Sequence, residues 1–388
     1  MRTVLPCRFH QSGREAVLLT GATGFLGTLI AAALLARTDK TVVALVRGGH
    51  GADALAARVR PELAAEGRRL DDDELRRRLV AVPLTPDGGL DEAGRRALAA
   101  FTVGDVVHCA GCLDYFNEAE LEAVNVAFTG RMVALAREVD ARRFVFVSTA
   151  FSSGYRDGPV PEALLGDPAS DPTAYTRTKR AAERLAAAGG LPFLIVRPSV
   201  VIGDSRTGRY SGKRYGLYQL WSGLERLLYD RHHEELHAVA PRQPFNFIHQ
   251  DSFQNAMAHL LARPSAAGVV NLVSHGPAIP TVRDVWELWL DALGRPERLH
   301  YYDHIRDVRL ADIHPRQRAF MMFASVNIEI AGHLWAFETT ALERMRAEGL
   351  AYADATLTTI ARCQQAFIEA SPRLLHYRNA RRAVADAV

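Results

Sequence analysis

The feature that most constrains the fold is a glycine-rich turn between an apolar segment and a helical pattern near the start of the chain. Residues Val17 to Leu19 form a short apolar run that suits a strand buried on both faces of a parallel sheet. Glycines follow at Gly21, Gly24 and Gly27, and apolar residues then recur at helical spacing from Leu26 to Leu34. The pattern predicts a strand, a tight turn and a helix whose first N–H groups can bind an anion.

Each glycine of this G-x-x-G-x-x-G turn has its own physical role. Gly21 permits the tight turn, Gly24 lets backbone approach a phosphate, and Gly27 allows close packing of helix on strand. The residues between them that we assign to the same phosphate-binding turn are Thr23, Phe25 and Leu26. The alternative is a glycine turn between a strand and a helix that binds no nucleotide, and motifs later in the chain decide between the two.

The composition limits the class of protein. The 388 residues are 48% hydrophobic and 23% charged, which is typical of a globular chain with a sizeable core. A net charge of +3 does not indicate nucleic-acid binding, which needs a concentrated basic face. The sequence has no run long enough to span a bilayer, and residues 1–13 lack the apolar core of a secretion signal. We therefore expect a cytoplasmic protein with a loose N-terminal extension.

The cysteines do not predict a disulfide framework or a metal site. Four cysteines in a chain of 388 residues are too few for such a framework. Cys109 and Cys112 have C-x-x-C spacing, but they close an apolar strand and no second ligand pair lies near them in the sequence. We expect reduced thiols and no metal.

The residue after the second predicted strand, Thr41–Val46, points to the choice of nucleotide. In dinucleotide-binding folds an acidic residue here binds the 2′-hydroxyl of NAD, whereas an arginine pairs with the 2′-phosphate of NADP. Arg47 occupies this position and favours NADPH over NAD, with a solvated arginine at a strand end as the alternative. Arg58 is a second candidate for the same phosphate.

A tyrosine and a lysine form the second informative motif. Tyr175 and Lys179 are four residues apart on a predicted helix, so they share one helix face. They follow the predicted fifth strand, Phe144–Thr149, which ends in hydroxyl residues. Doubly wound folds bind ligands at the carboxyl edge of the sheet, where such a strand end lies.

Together these motifs resemble the extended branch of the short-chain dehydrogenase/reductase superfamily. The resemblance covers about residues 15–360 and is strongest in the N-terminal half. It implies an α/β fold, with a Rossmann-type doubly wound parallel sheet and a smaller, mostly helical C-terminal substrate lobe. The predicted domains are 14–203 for the NAD(P)-binding domain, with 242–275 returning to it, and 204–241 with 276–388 for the substrate lobe.

The resemblance implies further cofactor contacts and supporting residues. The contacts it adds are Asp87 after the third predicted strand, Ala110 and Gly111 after the fourth, and Pro198 and Val201 in an R-P-x-x-V-x-G segment after the sixth. Asn125 corresponds to an asparagine that supports the active-site backbone. His108 is predicted to be a packed strand residue and not a catalyst.

The extended-reductase resemblance also implies a mechanism. The nicotinamide delivers hydride to a carbonyl carbon, and Tyr175 gives the proton to the oxygen as general acid. Lys179 lowers the pKa of Tyr175 and holds the nicotinamide ribose. Thr149 donates a second hydrogen bond to the oxygen, and Ser148 is the neighbouring candidate. No metal is needed.

The segment Gly203–Gly208 narrows the substrate class. Its sequence, G-D-S-R-T-G, resembles thioester reductase domains and fatty acyl reductases of the male-sterility type. With Arg47, this resemblance implies NADPH-dependent reduction of an acyl thioester, bound to coenzyme A or an acyl carrier protein, to an aldehyde or alcohol. The oligomeric state stays open between a monomer and a homodimer, since family members often pair through the helices after the fourth and fifth strands.

Other functions remain open at this point. One is oxidation or reduction of a ketone or alcohol, and another is a sugar-nucleotide epimerase or dehydratase, which would keep NAD bound and prefer an acidic residue at position 47. A third is a nucleotide-sensing regulator without catalysis. Such regulators usually lack the tyrosine or the lysine, and both are present here.

Overall fold

The computed structural model describes residues 14–48, 51–228 and 234–385. The N-terminal extension expected at residues 1–13 lies outside the described residues. Within the described ranges, no helix has both the length and the apolar character needed to cross a membrane.

The described chain alternates strands and helices through its first half. The strands are β1 Arg14–Thr20, β2 Thr41–Val46, β3 Leu79–Pro83, β4 Phe101–His108, β5 Arg143–Val147, β6 Phe193–Pro198, β7 Val200–Ile202, β8 Glu235–Val239, β9 Phe247–His249, β10 Gly268–Leu272 and β11 Arg298–Tyr302. The helices before β8 are α1 Phe25–Arg37, α2 Ala52–Ala65, α3 Asp72–Arg78, α4 Glu92–Leu98, α5 Glu118–Leu121, α6 Phe128–Glu138, α7 Ala174–Ala187 and α8 Leu217–Leu227. The helices after β8 are α9 Gln250–Leu261, α10 Val282–Leu293, α11 Pro315–Phe323, α12 Ser325–Ala331, α13 Thr340–Ala347, α14 Leu357–Glu369 and α15 Pro372–Ala385.

A parallel sheet of seven strands organises the described residues. Its order is β10-β6-β5-β4-β1-β2-β3, and every neighbouring pair is parallel. The order reverses between β1 and β4, so the loops after these strands diverge and leave a crevice at the carboxyl edge. This arrangement confirms the predicted Rossmann-type, doubly wound fold.

Helices cover both faces of the sheet and explain its continuous apolar strands. One core cluster joins Val17 and Leu19 of β1 to residues of α1 and α9, and the other joins Ala16 and Leu18 to residues of α6 and α7. The four β1 residues from Ala16 to Leu19 have no exposed surface. Burial on both faces is therefore what the apolar run at the start of the chain encodes.

A separate apolar core lies in the C-terminal, mostly helical region. It packs α8, α10, α11 and α14 around a two-stranded parallel sheet of β8 and β11. The tryptophans of the whole sequence, Trp221, Trp286, Trp289 and Trp335, all belong to this core. The domain boundaries given above stay predictions, since Phe151 and Ile202 from the first 203 residues also pack into this cluster.

The helical stretch from α5 to α6 is interrupted. A π-helical turn at Glu122–Ala127 separates α5 from α6. Such turns add one residue to a helical turn and are frequent at functional sites. Here the turn carries Asn125, whose contacts are described below.

Candidate active site

A cavity of about 1070 Å³ lies along the carboxyl edge of the sheet. Its wall combines the glycine turn after β1, the segments after β2, β4, β5 and β6, and side chains of the C-terminal core. The predicted site residues that line it are Gly21, Thr23, Gly24, Phe25, Leu26, Gly27, Arg47, Ala110, Gly111, Thr149, Tyr175, Lys179, Pro198 and Val201. The structure thus brings together all of the predicted site residues except Asp87.

The glycine turn has the shape that a dinucleotide cradle requires. Gly21 has φ +73°, and a Cβ there would lie 2.7 Å from the backbone nitrogen of Ala110. A Cβ on Gly27 would lie 2.1 Å from the carbonyl oxygen of Gly21. Helix α1 starts at Phe25 with no acidic residue in its first turn, so its N-terminal dipole meets no neighbouring carboxylate there. These residues fit a bound pyrophosphate.

Cationic side chains surround the adenosine end of the cavity. Arg47, directly after β2, and Arg58, on α2, are exposed and line the wall. Neither forms an ion pair with any described residue. Arg209 also lines the wall, but its guanidinium binds the buried carboxylate of Glu62 at 2.5 Å. Arg47 and Arg58 are therefore the cations here whose charge no described carboxylate neutralises.

Asp87 is the predicted cofactor contact that the structure does not bring to the cavity. Its carboxylate accepts a hydrogen bond from Thr85 Oγ1 at 2.5 Å, within the turn after β3. This hydrogen bond holds the pKa of Asp87 below its usual value. Leu84, three residues earlier, lines the cavity instead.

The three predicted catalytic residues come from two neighbouring elements. Thr149 follows β5, and its Oγ1 accepts a hydrogen bond from Phe151 N at 3.4 Å. Tyr175 lies in the first turn of α7. One turn later, Lys179 donates from Nζ to the carbonyl oxygen of Val147 at 2.7 Å and lies 4.1 Å from the Phe146 ring centroid. Helix α7 thus presents phenol and ammonium to the same wall.

Burial sets the protonation of the phenol and the ammonium. It lowers the pKa of Lys179 to about 8. It raises the pKa of Tyr175 above the usual range, and the neighbouring Tyr115 adds to that rise. The expectation of a lowered pKa for Tyr175 is therefore wrong, because desolvation of the phenolate outweighs any stabilisation by the Lys179 ammonium. Tyr175 is a neutral phenol at pH 7, which is the form that donates a proton.

Asn125 ties the loop after β4 to the helix that carries Tyr175. Its Oδ1 accepts from Cys112 N at 2.8 Å, while Nδ2 donates to Thr178 Oγ1 at 3.1 Å. Thr178 Oγ1 in turn donates to the carbonyl oxygen of Tyr175 at 2.9 Å. This network agrees with the backbone support that the sequence resemblance implied for Asn125.

His108 holds the other end of the same loop. Thr129 donates its hydroxyl proton to the Asn125 carbonyl oxygen, so its oxygen must accept from His108 Nε2–H at 3.0 Å. His108 Nδ1 then accepts from Thr20 Oγ1 at 2.7 Å. Burial lowers the pKa of His108 to about 3, which keeps the ring neutral. As predicted, His108 is a packed strand residue.

Two features in and beside the cavity wall are not evident from the sequence. Tyr115, in the loop after β4, lines the cavity and meets the Tyr175 ring edge-to-face at 5.7 Å between centroids. Glu183 is buried in α7, where it accepts from Ser148 and pairs with Arg197 at 2.6 Å. The Ser148 hydroxyl is therefore committed to this carboxylate, which favours Thr149 as the hydroxyl that faces a substrate.

The G-D-S-R-T-G segment forms a self-contained loop. Asp204 Oδ1 accepts from the backbone nitrogens of Arg206 and Thr207 at 3.0 and 2.9 Å. Ser205 donates from Oγ to Asp251 at 2.6 Å, which fastens the loop to α9. The loop reaches the cavity wall at Arg209, one residue beyond the motif. Its sequence thus encodes loop geometry more than direct contacts with a substrate.

Comparison of the sequence with known proteins identifies a family and several relatives. The profile of the Male sterility protein family, a family of NAD-binding domains, matches residues 19–257. The isonitrile lipopeptide synthase of Streptomyces coeruleorubidus is 34% identical over 295 residues, which cover 73% of this chain and 19% of that protein. The chain spans less than a fifth of the length of this relative and of others that it matches.

Solved structures show the same fold. The terminal R domain of the myxalamid PKS-NRPS pathway superposes with a TM-score of 0.72 at 22% identity, covering 95% of this chain and 96% of that one. A Bordetella bronchiseptica enzyme in complex with NAD superposes with a TM-score of 0.59 at 18% identity, covering 93% and 96%. At these identities the likeness is evidence of fold.

Proposed function

Because this chain belongs to the Male sterility protein family of NAD(P)-binding oxidoreductases within the extended short-chain dehydrogenase/reductases, we propose that it uses NADPH to reduce an acyl thioester. The observation that carries the proposal is one cavity wall that holds the glycine turn, Thr149, Tyr175 and Lys179 together. The volume of about 1070 Å³ leaves room for an acyl group beside a dinucleotide.

The side chains divide the work of carbonyl reduction. When bound, the reduced nicotinamide supplies the hydride that the carbonyl carbon accepts. Thr149 and Tyr175 donate hydrogen bonds to the carbonyl oxygen as negative charge grows there, and Tyr175 transfers its proton to it. Lys179 stabilises the phenolate left behind through its positive charge. Loss of the thiolate then gives the aldehyde, so one thioester, one NADPH and one proton yield one aldehyde, one thiol and NADP⁺.

The preference for NADPH rests on the adenosine end of the cavity. Arg47 follows β2 at the ribose position, and Arg58 faces the same space from α2. A 2′-phosphate would meet two guanidinium groups that no described carboxylate neutralises, whereas the 2′-hydroxyl of NADH offers them no charge. We therefore assign the 2′-phosphate to Arg47, with Arg58 as its second partner.

A carrier-bound acyl group is the substrate that the relatives favour. The isonitrile lipopeptide synthase is far longer than its segment that matches this chain, and the myxalamid neighbour is the terminal R domain of a PKS-NRPS biosynthetic pathway. Exposed apolar side chains flank the cavity of this chain at Leu113 and Tyr215. These side chains offer a contact surface to an acyl chain that enters from a carrier.

The test is turnover of NADPH with acyl-CoA and carrier-bound acyl thioesters. We expect NADP⁺ and free thiol to appear in a 1:1 ratio when the aldehyde is released, and 2:1 when reduction continues to the alcohol. Tyr175→Phe should lower kcat by about 10²–10⁴-fold, because it removes the general acid. Its Kd for NADPH, measured by nicotinamide fluorescence, should stay within about twofold, because the phenol is not part of the phosphate cradle.

The matched control is Tyr155→Phe. Tyr155 donates its hydroxyl to Glu329 at 3.3 Å and does not line the cavity, so its loss should leave turnover unchanged. NADPH binding without turnover of any thioester would remove the thioester proposal. Turnover that survives in Tyr175→Phe would instead remove Tyr175 from the mechanism.

A further inference from the structure

A cluster of two histidines and one glutamate lies outside the cavity, on the two-stranded sheet of the C-terminal core. Glu235 and His237 are two residues apart on β8, so their side chains share one face of the sheet. His300 pairs with His237 across the parallel register of β8 and β11. One imidazole nitrogen of each histidine and one carboxylate oxygen lie within 4.8 Å of one another.

We propose that Glu235, His237 and His300 form a binding site for a zinc ion that clips β8 to β11. The distances support a single ion between the three groups. Glu235 Oε1 lies 2.8 Å from His300 Nε2 and 3.7 Å from His237 Nε2. Two ligand atoms on tetrahedral zinc with bonds of about 2.0 Å are about 3.3 Å apart, which these two values bracket.

The surrounding groups orient the ligands as metal sites require. His237 Nδ1 lies 2.9 Å from Tyr302 Oη, so the ring can donate from Nδ1–H and leave Nε2 for the metal. Arg298 binds the other carboxylate oxygen, Oε2, at 3.1 Å and leaves Oε1 facing the two imidazoles.

The ligand set indicates the class of metal. Imidazole nitrogens with one carboxylate suit zinc and its neighbours cobalt and nickel, whereas magnesium and calcium prefer oxygen ligands alone. The two imidazole rings stack with 4.5 Å between centroids, so small ring rotations suffice to close on an ion. Three protein ligands leave the fourth tetrahedral position to water.

The location indicates a structural role. β8 and β11 form a sheet of two strands within the described residues, and such a small sheet depends on its packing against the C-terminal core, to which a crosslink would add. None of the three ligands lines the cavity, but Val239 and Pro241, at and beyond the end of β8, do. A zinc ion at the start of β8 would fix β8 to β11 and thereby fix the position of the cavity wall at the end of β8.

The experiment measures zinc binding by the full chain, without an affinity tag and after removal of metals. We expect one zinc per chain in competition with a chromophoric chelator. At zinc a hundredfold above Kd, the melting temperature should rise by about 3 °C. His237→Ala and His300→Ala should weaken zinc binding by more than about 100-fold, and Tyr302→Phe by about tenfold, the loss typical of an outer-shell partner.

Matched variants keep the proposal falsifiable. His376→Ala removes an exposed histidine of α15 and should bind zinc as the parent does. Retained NADPH binding checks that the site variants are folded. The proposal is overturned if no stoichiometric zinc binds, or if zinc binding survives in both site variants. Because the readout is metal affinity, its failure leaves the proposed reductase activity untouched.

Discussion

At the scale of single residues, the same burial acts on Tyr175 and Lys179 with opposite effects on charge. It keeps the phenol protonated far above neutral pH and brings the ammonium to a pKa of about 8. The Tyr175 phenol, the proton donor of the proposed reduction, is therefore protonated throughout the neutral pH range. The Lys179 ammonium, which stabilises the phenolate, is the group that changes its charge in that range.

This asymmetry predicts the alkaline limb of the pH profile. Lys179 loses its charge as pH rises through about 8, so kcat/KM for NADPH should fall about tenfold per pH unit above that value. Initial rates from pH 6 to 10, with circular dichroism as a check on folding, measure it. A profile that stays flat to pH 10 would show that the charge of Lys179 does not limit the reaction.

Arg47 carries a second prediction at this scale. Its replacement by alanine should raise Kd for NADPH by about 10–100-fold, because charge-assisted hydrogen bonds to the 2′-phosphate are lost. Kd for NADH should stay unchanged, since no such phosphate is present. Arg77→Ala, which alters an exposed arginine of α3, is the control. Equal losses for both nucleotides would contradict the assignment of the 2′-phosphate to Arg47.

At the scale of elements, the unit of β1, the glycine turn and α1 is the least tolerant part of the site. Gly27→Ala should destabilise the protein by about 1–3 kcal/mol, because its Cβ would overlap the Gly21 carbonyl oxygen at 2.1 Å. It should also abolish NADPH binding by displacing the turn. Thermal unfolding and cofactor fluorescence measure the two effects.

A second glycine provides the comparison. Gly130 lies within α6, where a Cβ would meet nothing within 4 Å. Gly130→Ala should therefore stabilise the protein by about 0.5–1 kcal/mol, since alanine is the better helix residue. If both substitutions had the same effect on stability, the close approach at Gly27 would not be the reason that this position requires glycine.

The elements that could be predicted from the sequence are those encoded by local patterns. β1, β2 and β5 each contain a continuous apolar run, and α10 begins and ends where its amphipathic pattern does, at Val282 and Leu293. β8 and β11 were not predicted, because their partners are about sixty residues apart along the chain and neither is a long apolar run. The cluster of Glu235, His237 and His300 depends on that non-local pairing.

The site was predictable to the same extent. Residues fixed by backbone geometry, such as Gly21 and Tyr175, lie on the cavity wall as expected. Asp87 does not, because the turn after β3 folds its carboxylate back onto Thr85. The position of Tyr115 on the cavity wall could not be predicted, because a loop has no periodicity that indicates where its side chains point. Desolvation of Tyr175 is likewise a property of the assembled cavity, and the spacing of Tyr175 and Lys179 in the sequence does not indicate it.

At the scale of the whole molecule, the two regions are joined across the cavity by specific contacts. Arg209 binds Glu62 of α2, and Ser205 binds Asp251 of α9. The Phe25 ring at the start of α1 meets the Tyr210 ring at 4.9 Å between centroids. The cavity wall therefore belongs to both cores, and a ligand that fills it should stabilise both.

The tryptophans make this coupling measurable. All four lie in the C-terminal core, so their fluorescence reports the unfolding of that region alone. NADPH at a hundredfold above Kd should stabilise the folded state by about 2.7 kcal/mol and raise the midpoint by about 3 °C for a chain of this size. If the two cores unfold together, the tryptophan and far-ultraviolet transitions should shift equally, although the phosphate cradle lies in the other core. Gly27→Ala, which we expect not to bind the nucleotide, should show neither shift. A far-ultraviolet transition that moves while the tryptophan transition stays fixed would mean that the C-terminal core unfolds independently and that the contacts across the cavity do not couple the two regions.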